Sequence, residues 1–373
     1  MSVASYLKNA VPSWWTLVSG QRPDGNIAVL STVWAHHAKR SGYHPVAKGL
    51  GVILPLQNIQ LIPTVVSRWI AGEGLETAYQ IALAMKATRC DHLLVVDGDF
   101  QLKLIKCIRR VCTQAKIFAV FHQVPKILEE SCLAEASPLL LDGAVCVARC
   151  QIPLIQSIAP AGKTWFVPHG VDANYFTPGG ARADRPTVLC VGVHYRDFET
   201  LQKSADLITQ VVPSAVVRLI APRAFLPSKM NLGPVELVSN LTDEQLLTEY
   251  RRAWVVLLPL NDSTANNSLL EGMACGTPVV VSDIGGVRDY VEPECGALCP
   301  SGDPQAHAAA TIDLLLDSFR REAAGQAARA RASLYAWPII REQIRLVLRS
   351  GTPEQGRFSA DVSEMRCSVK AGP

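Results

Sequence analysis

Short apolar runs rich in β-branched residues alternate along this chain with longer amphipathic stretches, and this alternation constrains the fold more than any other feature. In the first half, Ile27 to Val33, Leu93 to Val96, Ile117 to Phe121 and Ala144 to Val147 read as buried strands. In the second, Thr187 to Val193, Ala215 to Ile220, Val255 to Leu260 and Pro278 to Val281 read likewise. Helical patterns separate them, among them Leu75 to Thr88, Asp243 to Ala253 and Ala306 to Ala332. This order predicts an α/β fold of parallel sheets with crossover helices. A chain of 373 residues is long for one such core and sufficient for two. The polar, Gly/Pro-rich segment Thr177-Pro-Gly-Gly-Ala-Arg-Ala-Asp-Arg-Pro186 supplies the break. We therefore expect two Rossmann-like doubly wound domains, residues 1–178 and 179–335. Residues 351–373 lose apolar periodicity and read as a flexible tail.

Hydrophobic residues make up 49% of the chain and charged residues 18%, a globular balance. A formal net charge of +3 is too mild to imply nucleic-acid binding. It suits anionic substrates and is compatible with peripheral contact at an anionic membrane face. The eleven cysteines are scattered, form no CxxC pair and fit no zinc spacing, so reduced core thiols in a cytoplasm are the simplest reading. Met1 to Trp15 lack the apolar core of a signal peptide. The longest apolar runs, such as Trp254 to Leu260, fall short of the ~20 residues of a spanning helix. The expectation is a cytoplasmic protein with no transmembrane segment.

The segment from Trp254 to Tyr290 carries the most chemistry. It reads as a strand, a polar loop (Asn261 to Asn267), a helix start at Ser268-Leu-Leu-Glu, a Gly276-Thr-Pro278 turn, a second strand and Asp283-Ile-Gly-Gly286. The loop delivers backbone N–H groups at a helix N-terminus, where the dipole favours a diphosphate. Asn267, Ser268 and Leu269 would line that end. Glu271, one turn further in, could accept hydrogen bonds from two ribose hydroxyls, or could merely satisfy the dipole.

The run Asn267-Ser-Leu-Leu-Glu-Gly-Met-Ala-Cys-Gly-Thr-Pro-Val-Val280 resembles the donor-binding segment of the GT-B fold retaining glycosyltransferases of family GT4, the glycosyl transferases group 1. That family has a pair of glutamates here. The second matches Glu271, whereas the first falls on Ser263, with Asp262 adjacent. Phe166-Val-Pro-His-Gly-Val-Asp-Ala-Asn-Tyr-Phe-Thr-Pro178 resembles the family's interdomain signature, with His169 in place of the usual Asn. Val188-Leu-Cys-Val-Gly-Val-His-Tyr-Arg-Asp-Phe-Glu-Thr-Leu201 resembles the first strand and turn of the donor domain. Gly192 takes the glycine position there, Val193 replaces the family's Arg, and Arg196 is the nearest cation for the diphosphate. Leu334-Tyr-Ala-Trp-Pro338 is similar to the family's Phe-Ser-Trp, which implies that residues 336–350 form a helix crossing back to the first domain.

In the first half, Trp34-Ala-His-His-Ala-Lys-Arg-Ser-Gly-Tyr-His-Pro45 follows the first strand. Ser41 and Gly42 stand where the family brings a glycine pair to the nucleotide-sugar diphosphate. His36 and His37 are adjacent, and neighbours point to different faces of a strand or helix, which argues against a metal site. His122 ends the run Phe118 to Phe121, where family members carry a His against the donor sugar. Val95-Val-Asp97-Gly-Asp99 is the rival signal, because a strand ending in Asp-x-Asp is how metal-dependent GT-A enzymes hold a divalent ion. With the donor signature at Glu271, we expect Asp97 and Asp99 instead to line the acceptor side or cap the next helix, Asp99 at its N-cap.

The resemblance thus implies a GT-B enzyme of two Rossmann-like domains facing a cleft. It would move a sugar from a nucleotide-sugar donor, UDP-linked before GDP-linked, to a glycan, lipid-linked or small-molecule acceptor with retention. His122, Arg196 and Glu271 are the expected catalytic residues. No cofactor, metal or nucleic acid is expected. A degenerate, non-catalytic nucleotide-sugar-binding protein is the alternative, raised by Ser263 and the displaced cation.

Overall fold

The computed structural model describes residues 27–31, 43, 46, 50, 52–55, 75–133, 138–226 and 232–350. The expected tail and the Ser41–Gly42 pair lie outside these residues.

The first domain contains β1 (Ile27–Ser31), β2 (Val52–Pro55), α1 (Leu75–Thr88), β3 (His92–Val95), α2 (Leu102–Val111), β4 (Lys116–Phe121), α3 (Pro125–Leu133), β5 (Gly143–Cys146), α4 (Ile152–Ile158) and β6 (Lys163–Phe166). Its strands lie in the order β2-β1-β3-β4-β5-β6, all parallel. Alternate residues serve opposite faces. Ile27, Val29, Leu94, Val96, Phe118 and Val120 enter one apolar cluster. Ala28, Leu30, Leu93, Val95, Ile117, Ala119 and Phe121 enter another. This two-sided burial explains why the strands are apolar without interruption.

The second domain contains β7 (Thr187–Val191), α5 (Phe198–Val211), β8 (Val216–Ile220), β9 (Val235–Val238), α6 (Asp243–Arg252), β10 (Val255–Leu258), α7 (Asn267–Ala274), β11 (Val279–Ser282), β12 (Gly296–Cys299), α8 (Pro304–Leu316) and α9 (Ser318–Ser333). Its parallel sheet has the order β12-β11-β10-β7-β8-β9. The helices start where a short polar side chain caps them. Asp197 accepts from Thr200 N ahead of α5, and Thr242 and Gln245 form a capping box on α6. The stretch Ala306 to Ala332, read above as one helix, is two. Asp317 ends α8 in an extended conformation, and its carboxylate caps α9 by accepting from Arg320 N.

α10 (Trp337–Ser350) follows, and its Ile340, Ile344, Val347 and Leu348 join the cluster that spans both domains. Val171 N–H donates to Tyr335 O at 2.9 Å and Trp337 N–H donates to Val171 O at 3.2 Å. The helix start is thereby tied to the interdomain segment. A Cβ on Gly170 would sit 2.3 Å from the Trp337 ring, so only glycine lets the two approach. Among the described residues no helix is long and apolar enough to cross a membrane.

One buried network fixes the end of β10. His307, fully buried in α8, donates from Nδ1 to Asp303 O at 2.7 Å, which leaves Nε2 to accept from Ser282 Oγ at 3.2 Å. Ser282 Oγ in turn accepts from Leu260 N at 2.8 Å, and Ser301 Oγ donates to Leu260 O at 2.8 Å. Burial holds the His307 pKa below its ordinary value, against the opposing pull of Asp303. Its neutral form is the one the network needs. Below about pH 6.5 the unfolded chain takes up a proton at this position that the folded one refuses. Stability is therefore expected to fall as pH drops from about 6.5 toward the lowered folded pKa. Melting curves of wild type and His307→Gln across pH 5.5–7.5 should show a steeper acid loss in wild type.

Candidate functional site

At the carboxyl end of the second sheet, three segments converge. The first is the turn after β7. Gly192 has φ +87, which favours glycine. Tyr195 has φ +54, an uncommon state for a bulky side chain. Arg196 follows and folds back. Its Nε donates to Val191 O at 3.0 Å, Nη1 to His194 O at 3.1 Å, and Nη2 to Ser268 Oγ at 3.1 Å. Arg196 is 6% exposed, and burial lowers its pKa. The groups that offset this are Cys190 and Tyr250, and among the described residues no carboxylate joins them. Buried charges are normally matched by an opposite charge.

The second segment is α7. Asn266 caps it by accepting from Leu269 N at 3.2 Å, and every residue from Ser268 to Ala274 is buried. The N–H groups of its first turn have no intrahelical acceptor. Arg196, Gly192, Asn267, Ser268 and Leu269 therefore surround one electropositive spot. Glu271 is 4% exposed and accepts from Tyr250 Oη at 2.9 Å. It is a buried, hydrogen-bonded acid rather than an exposed helix-start charge.

The third segment is the loop between β10 and α7, with the glycine pair against it. Ser263 is buried, its Oγ donating to Thr264 O at 3.3 Å. Asp262 Oδ1 accepts from Ser263 N at 2.7 Å. Gly286 N donates to Ser263 O at 2.8 Å. Gly285 has φ +56, and a Cβ there would lie 2.0 Å from Ser263 O. The pair is thus a close backbone approach as well as a turn.

The first domain faces this spot with the end of β4. His122 Nε2 donates to Val96 O at 2.8 Å, and its ring meets that of Tyr43 edge-on at 4.6 Å. Tyr43 also contacts the rings of His169 and Trp337, at 5.1 and 5.2 Å. The Tyr43 hydroxyl is buried without a partner among the described residues, and burial first, then Asp97, pushes its pKa up. Two hydrogen bonds cross the cleft beside His122. Thr264 Oγ1 donates to His122 O, and Tyr195 Oη donates to Gln123 Oε1 at 3.1 Å. Lower down, Tyr290 Oη accepts from His169 N at 2.8 Å and donates to Val147 O, while Arg149 N donates to Asp289 Oδ2 at 2.8 Å.

Asp99 departs from expectation. It is not the N-cap of the following helix, since Gln101 precedes α2 and makes no side-chain cap bond. The Asp99 carboxylate instead accepts from His122 N at 3.0 and 2.8 Å and from Gln123 N at 3.2 Å. Burial raises its pKa, against the pull of His122 and these N–H groups. Among the described residues no group of three or more His, Cys, Asp or Glu is placed to hold a metal ion. The contacts of Tyr195, Gln123 and Thr264 were not foreseen from sequence. The positive φ of Tyr195 leaves no mark on residue type, so no local signal announces them.

Residues 185–317 match the family described as glycosyl transferases group 1. A D-inositol 3-phosphate glycosyltransferase of Corynebacterium urealyticum is 28% identical over 218 residues, 50% of this chain and 51% of that protein. One from Geodermatophilus obscurus is 30% identical over 204 residues, 47% of this chain and 44% of that protein. The chain thus spans about half the length of the curated relatives it matches. Among solved structures, HepE of Anabaena in complex with UDP and glucose aligns with TM-score 0.67 at 14% identity, over 87% of this chain and 99% of that one. Sucrose-phosphate synthase of Thermosynechococcus elongatus aligns with TM-score 0.65 at 18% identity, over 87% and 98% of the two chains.

Proposed function

We propose that this chain, which has the GT-B fold and belongs over residues 185–317 to the glycosyl transferases group 1 family, is a glycosyltransferase using a nucleotide-sugar donor. The observation that carries the reading is Arg196, buried beside the N-terminus of α7 with no carboxylate paired to it among the described residues. A diphosphate supplies the missing negative charge, held by Arg196 and the first N–H groups of α7. Glu271 takes the ribose hydroxyls, and His122 faces the sugar across the cleft. As the sugar–phosphate bond breaks, charge grows on the diphosphate where the cation and N–H groups already point. The departing diphosphate accepts the proton of the acceptor hydroxyl, and the sugar is transferred with retention, without an enzyme nucleophile.

UDP is the first choice of nucleotide and GDP the second. A matching relative of Corynebacterium glutamicum is described as a GDP-mannose-dependent mannosyltransferase, whereas the neighbour HepE is in complex with UDP and glucose. The acceptor is a hydroxyl of a glycan, lipid-linked sugar or small polyol. A cytoplasmic setting accords with nine cysteines that are all unpaired among the described residues.

Calorimetric titration of UDP and of GDP, in EDTA, tests the reading. Saturable one-site binding of one of them is expected, with slow release of free sugar from UDP-glucose or GDP-mannose. Failure of both nucleotides to bind would remove the donor site. Binding or sugar release that needs added Mn²⁺ would overturn the metal-free mechanism. Ser263, buried where the family has a carboxylate, favours the second reading of a non-catalytic binder. Nucleotide binding with no sugar release identifies that case.

A further inference from the structure

The His122–Gln123 turn has four polar backbone groups and one side-chain amide that matter here. Asp99, 7% exposed, takes both backbone N–H groups. Gln151, fully buried, donates to Gln123 O at 2.8 Å and to Phe121 O at 3.0 Å, and its own Oε1 accepts from Ala148 N at 2.9 Å. The His122 ring is tied to Val96 O. Two acceptors remain, His122 O and Gln123 Oε1, and both take a hydroxyl from the second domain.

Those two hydroxyls come from the two loops that build the electropositive spot. Tyr195 adjoins Arg196, and Thr264 lies just before Asn266, the cap of α7. Tyr195 holds φ +54, a state that costs on the order of 1 kcal/mol and persists only where surroundings enforce it. Three contacts do so. Asn261 N donates to Tyr195 O at 2.9 Å, Arg196 Nη1 grips His194 O, and Gln123 receives the phenol.

We infer that Asp99 and Gln151 are positioning residues that present the His122–Gln123 turn as a receptor for one hydroxyl from each lip of the anion cradle. Closure of the cleft is then read out on both lips at once, and a displaced lip leaves a hydroxyl unpaired. This rests on the donor reading above, because the lips matter only if a diphosphate lies between them. Within the Asp-x-Asp pattern it is Asp99 that serves this mechanical role.

The test compares Tyr195→Phe, Thr264→Val, Gln123→Met and Asp99→Asn. Each hydroxyl removed should lower the rate of sugar release from UDP-glucose or GDP-mannose about fivefold, since one such bond contributes ~1 kcal/mol. The Kd for UDP or GDP should change much less than the rate, because Arg196 keeps its own second-domain contacts to Val191 O and Ser268 Oγ. Tyr195→Phe added to Gln123→Met should cost nothing beyond either change alone. Multiplying losses, or Kd values that weaken in step with rate, would overturn the inference. Should Asp99→Asn fold poorly, Gln151→Met, which removes the donors to Phe121 O and Gln123 O, tests positioning in its place, and an unchanged rate in the folded variant would overturn the inference. Amide hydrogen exchange of the ligand-free protein gives an arm independent of chemistry. Gln123→Met should speed exchange in residues 192–196 and leave β8 and β9 unchanged, and an unchanged 192–196 segment would sink the proposal. If wild type binds neither nucleotide while exchange behaves as stated, the donor reading fails and the receptor turn stands.

Discussion

Arg196→Met is expected to lower kcat/KM for donor turnover by about 10²- to 10³-fold, the loss that follows removal of a donor aimed at developing charge. Methionine matches the length of the stem but carries no N–H group. The diphosphate would then face the α7 N–H groups alone. His194 O would also lose its donor, whereas Val191 O keeps that of Ser268 Oγ, so some stability goes as well, about 1–3 kcal/mol if His194 O stays dry. Lysine should rescue only part. Its ammonium is a point charge and cannot span Val191 O, His194 O and Ser268 Oγ together, as the guanidinium does. Steady-state kinetics on both variants, with thermal melts as the control for folding, measure this. A folded Arg196→Met with wild-type kcat/KM would show that the buried cation is structural.

Glu271→Ala should weaken binding of the nucleoside diphosphate about 10- to 100-fold, or roughly 1.4–2.7 kcal/mol. As a helix-start acid, Glu271 would contribute only about 0.3–1 kcal/mol to folding through the dipole. The structure raises that figure. Glu271 is buried and receives the fully buried Tyr250 hydroxyl, so alanine strands that donor at about 1–3 kcal/mol. Alanine therefore mixes two effects, and glutamine separates them. Glu271→Gln keeps an acceptor for Tyr250 but loses the charge. It should melt close to wild type and still bind nucleotide more weakly. Calorimetric titration of UDP or GDP reports the Kd. An unchanged Kd in folded Glu271→Gln would confine Glu271 to its bond with Tyr250.

The sequence by itself determined the interior of the fold. β1, β3, β4, β5, β7, β8, β10 and β11 all fall on apolar runs legible beforehand, because a strand covered on both faces must be apolar throughout. The four strands that escaped notice, β2, β6, β9 and β12, are the four sheet edges. An edge strand has one neighbour and a partly exposed surface. Lys163–Phe166 and Val235–Val238 are accordingly mixed in polarity and only partly buried, and carry no such signal. The polar loop after β10 and α7 were legible as well, since a cap, a helix start and a Gly-x-Pro turn are local chemistry.

What only the tertiary structure decided is which polar groups meet. Asp99 reads from its neighbours in sequence as a helix cap or an acceptor-side residue, with metal binding as the rival, yet it binds the backbone of His122 and Gln123 across two strands. Glu271 reads as a ribose ligand or a helix-start acid, and sequence gives no sign that Tyr250 and the packing of α7 enclose it. Tyr195, Thr264 and Gln123 are ordinary polar residues until two domains bring them together. Apolar periodicity is repeated along many residues and survives averaging. A hydrogen bond between two side chains distant in sequence rests on one pair of atoms, and only the folded chain selects its partner.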